Sequence, residues 1–249
     1  MKDKFVLSII NLCYIDFMIK AVIFDMFETL VTLFVGRTYF SEHIAKDLGL
    51  DDTEQFRKEW HVIENDRTTG KYTIEEGLTL VFKKIGIYTP EKVQTIVNNR
   101  LAALKDTFDA IPKETFELLE ALKARGIKIG LITNTFSDER DLIRKSKLFP
   151  YFDFPLISFE QGIMKPAPQM YRKMIEQLGV KPEECLYVGD GGSKELYGAR
   201  DAGMHPLQCT WFSSLAYEPH IPCPVLDEFD HAQKQMDVLK VIEKYQFLP

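Results

Sequence analysis

Long apolar runs are missing from this chain of 249 residues. The stretch from Phe5 to Ile19 is too short to cross a bilayer and contains Asn11 and Asp16. It resembles the opening of a signal peptide, yet no small-residue cleavage site follows it. The expectation is that residues 1–17 form an extension outside the main fold, arising from an upstream start codon. Cysteine is scarce: Cys13, Cys185, Cys209 and Cys223 form no C-x-x-C pair. That excludes a disulfide scaffold and points to a reduced, cytoplasmic protein whose cysteines act as small buried hydrophobes. Blocks of Lys and Arg are also absent, and the net charge is −6. Nucleic acid and anionic membranes are therefore disfavoured as partners, whereas a small anionic substrate needs only a local positive site. No internal repeat or low-complexity segment occurs.

What is present is an ordinary globular composition, 45% hydrophobic and 27% charged. Lys20 to Asp25 is a short apolar run that ends on an acid, the pattern of a strand buried on both faces. Four similar runs follow: Ile127 to Thr133, Phe154 to Phe159, Cys185 to Asp190 and His205 to Trp211. Helical patterns separate them. Phe116, Leu119 and Leu122 share one face of a helix that stops at Gly126. Leu142, Ile143 and the Leu148-Phe149 pair mark a second. Met170, Met174 and Leu178 mark a third, ended by Gly179. A last helix lies around Leu239, after the Pro219 to Pro224 loop. Strand alternating with helix predicts an α/β fold with a Rossmann-like parallel sheet and right-handed crossovers.

One interval breaks the alternation. After the first strand, the chain shows only helical periodicity until Phe116. Phe40, Ile44 and Leu48 mark one helix, and Phe56, Trp60 and Ile63 another. Leu78, Val81, Phe82 and Ile85 mark a third. Val93, Ile96, Val97, Leu101 and Leu104 mark a fourth, which starts after Thr89-Pro90. The expected organisation is an α/β core made of residues 18–34 and 111–249, with an all-helical module, 35–110, inserted into it. The polar stretch from Glu64 to Glu76, with Arg67 and Gly70-Lys71, is expected to join two of these helices and face the substrate.

Polar residues stand at four strand ends: Asp25, Thr133-Asn134, Lys165 in the loop after the third strand, and Asp190. Open parallel sheets bind ligands beyond the carboxyl ends of their strands. The topology thus brings a carboxylate, a hydroxyl, an ammonium and a second carboxylate to one edge. Phosphoryl transfer uses such a set: one carboxylate attacks, cations neutralise the equatorial oxygens and a hydroxyl orients them.

These segments resemble the four motifs of the haloacid dehalogenase superfamily. Phe24-Asp25-Met26-Phe27-Glu28-Thr29-Leu30 is similar to the first, Asp-x-Asp-x-Thr, and Leu131-Ile132-Thr133-Asn134 to the second. Gly162 to Tyr171, containing Lys165-Pro166, is similar to the third. Val188-Gly189-Asp190-Gly191-Gly192-Ser193-Lys194-Glu195, followed by Gly198-Ala199, is similar to the fourth. They occur in family order between residues 18 and about 211, and the inserted helices match the family's C1-type cap. The resemblance implies Asp25 as nucleophile, Thr133 and Asn134 as groups that hold the transferred moiety, and Lys165 as the neutralising cation. It implies Mg²⁺ bound by Asp25, Asp190 and the main-chain carbonyl of Phe27, a metal that prefers oxygen ligands. Glu195 supports Lys165 or a metal-bound water, the backbone amides after Asp25 cradle phosphate oxygens, and Arg67 is assigned to the substrate.

Phe27 departs from the family pattern. It stands where the phosphatases carry a second aspartate that protonates the leaving group and activates water, a role worth about 10²–10⁴ in rate. Glu28 is adjacent, but the chain direction aims it elsewhere. Three readings stay open. One is a phosphohydrolase with a good leaving group or an acid from the cap, among His43, His61, Glu64 and Arg67. Another is a 2-haloacid dehalogenase, since those enzymes carry an aromatic residue at the Phe27 position and a halide leaves without a proton. The third is a weakly active binding or regulatory module on the same fold. Asp190, an acid with no metal to hold in the dehalogenases, favours the first.

Overall fold

The computed structural model describes residues 18–50 and 53–246. The proposed extension 1–17, with Cys13, lies outside them. In chain order come β1 (Ala21–Phe24), α1 (Ser41–Asp47), α2 (Thr53–Val62), α3 (Glu64–Thr68), α4 (Ile74–Lys84), α5 (Pro90–Asp109) and α6 (Lys113–Ala124). They are followed by β2 (Lys128–Thr133), α7 (Ser137–Lys145), β3 (Phe154–Ile157), α8 (Ser158–Gln161), α9 (Pro168–Leu178) and β4 (Cys185–Gly189). The chain closes with α10 (Glu195–Asp201), β5 (His205–Cys209), β6 (Asp230–Ala232) and α11 (Asp237–Gln246).

The strands form a single parallel sheet in the order β3-β2-β1-β4-β5-β6. β1 is apolar throughout and fully buried because helices cover both faces of the sheet. On one side Val22, Phe24, Leu131 and Val188 pack with Leu118 and Leu122 of α6 and Val238 and Ile242 of α11. On the other, Ile23, Ile132 and Tyr187 pack with Met170, Tyr171 and Met174 of α9 and Leu196 and Ala199 of α10. From β1 the chain winds outward through β2 to β3, then returns to place β4 on the opposite side of β1. That reversal opens a crevice beyond the carboxyl ends of β1 and β4, where ligands bind in such sheets.

Helices α1 to α5 carry their own core of Ile44, Phe56, Trp60, Leu78, Phe82, Val93 and Ile96. Local chemistry sets their ends. Thr73 and Glu76 form a capping box at α4, and Thr89 caps α5 ahead of Pro90. This module docks on the core beside the ends of β2 and β3. Ser137 Oγ accepts from the Ile74 amide at 2.9 Å, Ser158 Oγ donates to the Thr68 carbonyl at 2.8 Å, and Arg100 Nε donates to Asp138 at 2.7 Å. At Gly70 the φ of +80° and a built Cβ only 2.2 Å from the Phe159 carbonyl oxygen leave no room for a side chain.

The structure differs from the sequence expectations in several places, among them the fifth strand, which ends at Cys209 rather than Trp211. The third strand stops at Ile157 rather than Phe159, because Ser158 Oγ bonds Thr68 and accepts from the Thr135 amide while the chain turns into α8. The helix expected to reach Leu148-Phe149 ends at Lys145, where Ser146 Oγ donates to the Ile143 carbonyl at 2.7 Å. The Glu64 to Glu76 stretch begins with the short helix α3, so the inserted module has five helices among the described residues, not four. A sixth strand, β6, follows the proline-rich loop. Among the described residues, no helix is long and apolar enough to cross a membrane.

Candidate active site

Asp25 follows β1 directly. Its amide still bonds the Val188 carbonyl at 3.0 Å, so the sheet ladder fixes the residue, and its side chain is largely buried. Oδ1 lies 2.7 Å from the Lys165 ammonium. Lys165 is 2% exposed and also contacts the Glu195 carboxylate. Burial opposes its charge, but Asp25 and Glu195 outweigh that and hold the ammonium above the ordinary lysine range. Asn134 fixes this loop from the end of β2. Its Oδ1 accepts from the Lys165 amide at 2.8 Å, and its Nδ2 donates to the Lys165 carbonyl at 3.2 Å. Asn134 thereby engages the lysine's main chain, whereas the family resemblance had it holding the transferred group.

Glu195, fully buried at the start of α10, accepts from the Tyr187 hydroxyl at 2.9 Å and the Gly191 amide at 3.2 Å. Burial raises its pKa, Lys165 opposes the shift, and Asp25 and Asp190 reinforce it. Gly189 makes the approach possible, since a Cβ there would fall 2.0 Å from Glu195 Oε1. Asp190 follows β4. Its carboxylate accepts from the Gly192 amide at 3.0 Å, and its carbonyl accepts from Gln208 Nε2 at 2.8 Å. Burial and the neighbouring Asp25 raise its pKa.

Carboxylate oxygens of Asp25, Asp190 and Glu195 all lie within 4.8 Å of one another. Three carboxylates facing a single ammonium leave an excess of negative charge, and the donors are all oxygen. This set fits a magnesium ion. Thr133 adds a matching feature: it is fully buried, and its hydroxyl has no hydrogen-bond partner among the described residues. Such an orphan costs stability unless a ligand oxygen accepts from it.

Phe27 lies half-buried, its ring edge-on to Phe108 of α5 with centroids 6.3 Å apart. Glu28 has a φ of +55°, and its carboxylate turns back to accept from Thr32 Oγ1 at 2.7 Å and the Leu33 amide at 2.8 Å. It nevertheless lines a cavity of ≈20 Å³ with Asp190 and Cys223, about the room one water needs. Burial, reinforced by Asp190 and Asp25, pushes its pKa up to about 7.

A larger cavity, ≈790 Å³, opens between the helical module and the core. Asp25 is not among its lining residues; Leu33 and Phe136, from the loops that carry Asp25 and Thr133, are. Arg67, His61 and Glu64 line it from the module, and His61 pairs with Glu64 at 2.6 Å. His43 instead accepts from the Phe40 amide at 3.1 Å. Arg67 is 2% exposed rather than set on a polar surface. Tyr187, Gln208 and Arg100 were not singled out in the sequence. For Tyr187 the signal was a hydroxyl inside an apolar strand; for Arg100 it was a charge on the same helix face as Val97 and Leu104.

A profile of the haloacid dehalogenase-like hydrolases matches residues 19–203. The chain is 28% identical to the glyceraldehyde 3-phosphate phosphatase of Methanopyrus kandleri, over 91% of this chain and all of that protein. It is 37% identical to the Rhythmically expressed gene 2 protein of Drosophila melanogaster, over 36% of this chain and 35% of that one. The crystal structure of a 2-haloacid dehalogenase from Pseudomonas syringae pv. Tomato DC3000 superposes with a TM-score of 0.66 at 23% identity, covering 92% of this chain and all of the other. The chain belongs to the haloacid dehalogenase-like hydrolases.

Proposed function

We propose that this haloacid dehalogenase-like hydrolase is a magnesium-dependent phosphohydrolase acting on a small phosphorylated metabolite. The observation that carries the reading is Asp190, which with Asp25 and Glu195 gathers an excess of negative charge around one point. Halide departure needs no cation beside the leaving group, whereas the charge of a transferring phosphoryl group does. The full-length similarity to a phosphatase supports the same choice.

Asp25 attacks the phosphorus through a carboxylate oxygen; that O–P bond forms as the bond to the leaving-group oxygen breaks, and the leaving group departs with the electron pair. The Lys165 ammonium, held by Asp25 and Glu195, offsets charge on the nucleophile and the transferred oxygens. The Thr133 hydroxyl donates to one of those oxygens. Water then attacks the phosphorus of the aspartyl phosphate, the bond to Asp25 breaks, and phosphate and the free carboxylate are released. Asp25, Asp190 and the Phe27 carbonyl would hold the magnesium, with Glu195 beside them, and the bound ion would supply Lewis-acid neutralisation of the phosphoryl oxygens. Phe27 offers no proton, so leaving groups that depart as stable anions, such as acyl and aryl phosphates, are favoured over alkyl ones.

Phe27 itself favours the second reading, attack by Asp25 on the carbon of a 2-haloacid with halide departure. The purified protein is assayed on acetyl phosphate and p-nitrophenyl phosphate, with and without EDTA, and on 2-chloropropionate. Phosphate release abolished by EDTA is expected. Chloride release that ignores EDTA would replace this proposal with the second reading.

A further inference from the structure

We propose that Arg67 binds a carboxylate on the substrate, which makes phosphorylated carboxylic acids the substrate class; this rests on the phosphohydrolase reading. Arg67 is the end of α3 that faces the core, and it lines the ≈790 Å³ cavity. Its Nη2 donates to the Trp60 carbonyl at 3.1 Å, while Nε and Nη1 have no partner among the described residues. A buried guanidinium with most of its donors unspent is costly unless an anion completes it.

None of the nearby acids is in direct contact with Arg67, although Asp138 keeps one oxygen without a partner among the described residues. Asp138 and Glu139 are bonded to Arg100, at 2.7 and 3.4 Å, and Glu64 is paired with His61 at 2.6 Å. Burial and the Arg100 charge push the Arg67 pKa down to about 10 against the opposing charges of Glu64, Glu139 and Asp138, so the group stays cationic at neutral pH without a contact counter-ion. Space has been left for it, since a Cβ on Gly77 would sit 2.9 Å from Arg67 Cδ.

The shape of the slot selects the ligand. The guanidinium carbon lies over the Trp60 ring, 3.6 Å from its centroid, and over the Phe136 ring, 4.2 Å from that centroid. Both rings crowd the group, and its free donors Nε and Nη1 are themselves buried, so a ligand reaches them as the cap lifts. The guanidinium fork pairs with carboxylate and phosphate alike, but beside two rings the smaller, planar carboxylate needs less room than a tetrahedral phosphate. Trp60 belongs to the cap and Phe136 to the core loop that follows Thr133. Lifting the cap therefore opens the slot, and closing it over a ligand carboxylate brings that group next to the strand end that carries the orphan Thr133 hydroxyl.

The test is calorimetric binding, in magnesium, of methylphosphonate, methylenediphosphonate and ω-phosphonocarboxylates from phosphonoacetate to phosphonopentanoate. Wild type, Arg67→Met and Arg67→Lys are compared. At least one phosphonocarboxylate should bind wild type about 30-fold or more tighter than methylphosphonate, the worth of one charge-assisted contact. Arg67→Met should collapse that ratio to within about threefold with methylphosphonate affinity unchanged, and Arg67→Lys should restore part of it. A wild type that does not discriminate, or an Arg67→Met variant that weakens both ligands equally, overturns the proposal. So does a preference for methylenediphosphonate over every carboxylate. Because these ligands are not turned over, the binding ratio judges Arg67 alone, and failure to hydrolyse p-nitrophenyl phosphate judges only the phosphohydrolase reading.

Discussion

Replacing Phe27 with aspartate returns an acid–base group to the second position after the nucleophile. A positioned acid contributes about 10²–10⁴ in rate, equivalent to about 3–5 kcal/mol of barrier at 1.36 kcal/mol per factor of ten. The gain should be selective. An alkyl phosphate such as glycerol 3-phosphate needs its leaving oxygen protonated, whereas p-nitrophenolate leaves as the anion. Expected, therefore, is a rise of about 100-fold or more in kcat/KM for glycerol 3-phosphate relative to p-nitrophenyl phosphate. The change also has a structural cost. Phe27 is half-buried and meets Phe108 edge-on. Losing about half of a buried Phe transfer energy plus one aromatic pair amounts to about 2 kcal/mol, or about 4–8 °C in Tm for a chain of this size. Assays at 25 °C leave the variant folded, and Phe27→Leu, which keeps apolar bulk without an acid, should leave the substrate ratio unchanged. If the aspartate variant moves both substrates by the same factor, the missing proton is not what limits turnover, and the assignment of position 27 is wrong.

Two further outcomes follow from the same site. Magnesium at about 100 times its Kd should stabilise wild type by about 2.7 kcal/mol, a Tm rise of about 5–10 °C by scanning calorimetry; in Asp190→Asn the rise should largely vanish, and an undiminished shift would remove Asp190 from the metal site. Without magnesium, the Glu28 carboxyl titrates near 7 in the folded state against an ordinary 4.5, so the folded state binds its proton more tightly. That contribution to stability is fully present below the unfolded pKa and is lost as pH rises from about 4.5 through about 7, at up to about 1.4 kcal/mol per pH unit. Glu28→Gln should flatten this slope in urea-unfolding midpoints measured between pH 5 and 8, and an unchanged slope would refute the assignment.

The sequence made the sheet readable because β1, β2 and β4 carry short, mostly apolar runs closed by a polar residue, with β3 and β5 following the same rhythm less cleanly. β6 escaped it: three residues, two of them exposed, offer no run to detect. α3 escaped for a related reason, since Glu64 to Thr68 is polar throughout and reads as a turn until Arg67 and Thr68 are seen buried against the core. The residues at the strand ends were legible as types and positions. Their division of labour was not, because it depends on contacts between separate elements: Asn134 with the main chain of Lys165, and Tyr187 of β4 with Glu195 of α10. Arg67 and Arg100 look alike in a sequence. Only the placement of Asp138 and Glu139 shows that one is directly ion-paired and the other is not.

The fastening of the cap bears on how fast the enzyme can empty itself. Ser137 with Ile74, Ser158 with Thr68, and Arg100 with Asp138 all lie beside the ends of β2 and β3. Any outward swing that frees a product must break them together, at about 1 kcal/mol for each neutral bond and more for the charged one. Together they set the free-energy cost of opening the cap, a step that gates access to the site.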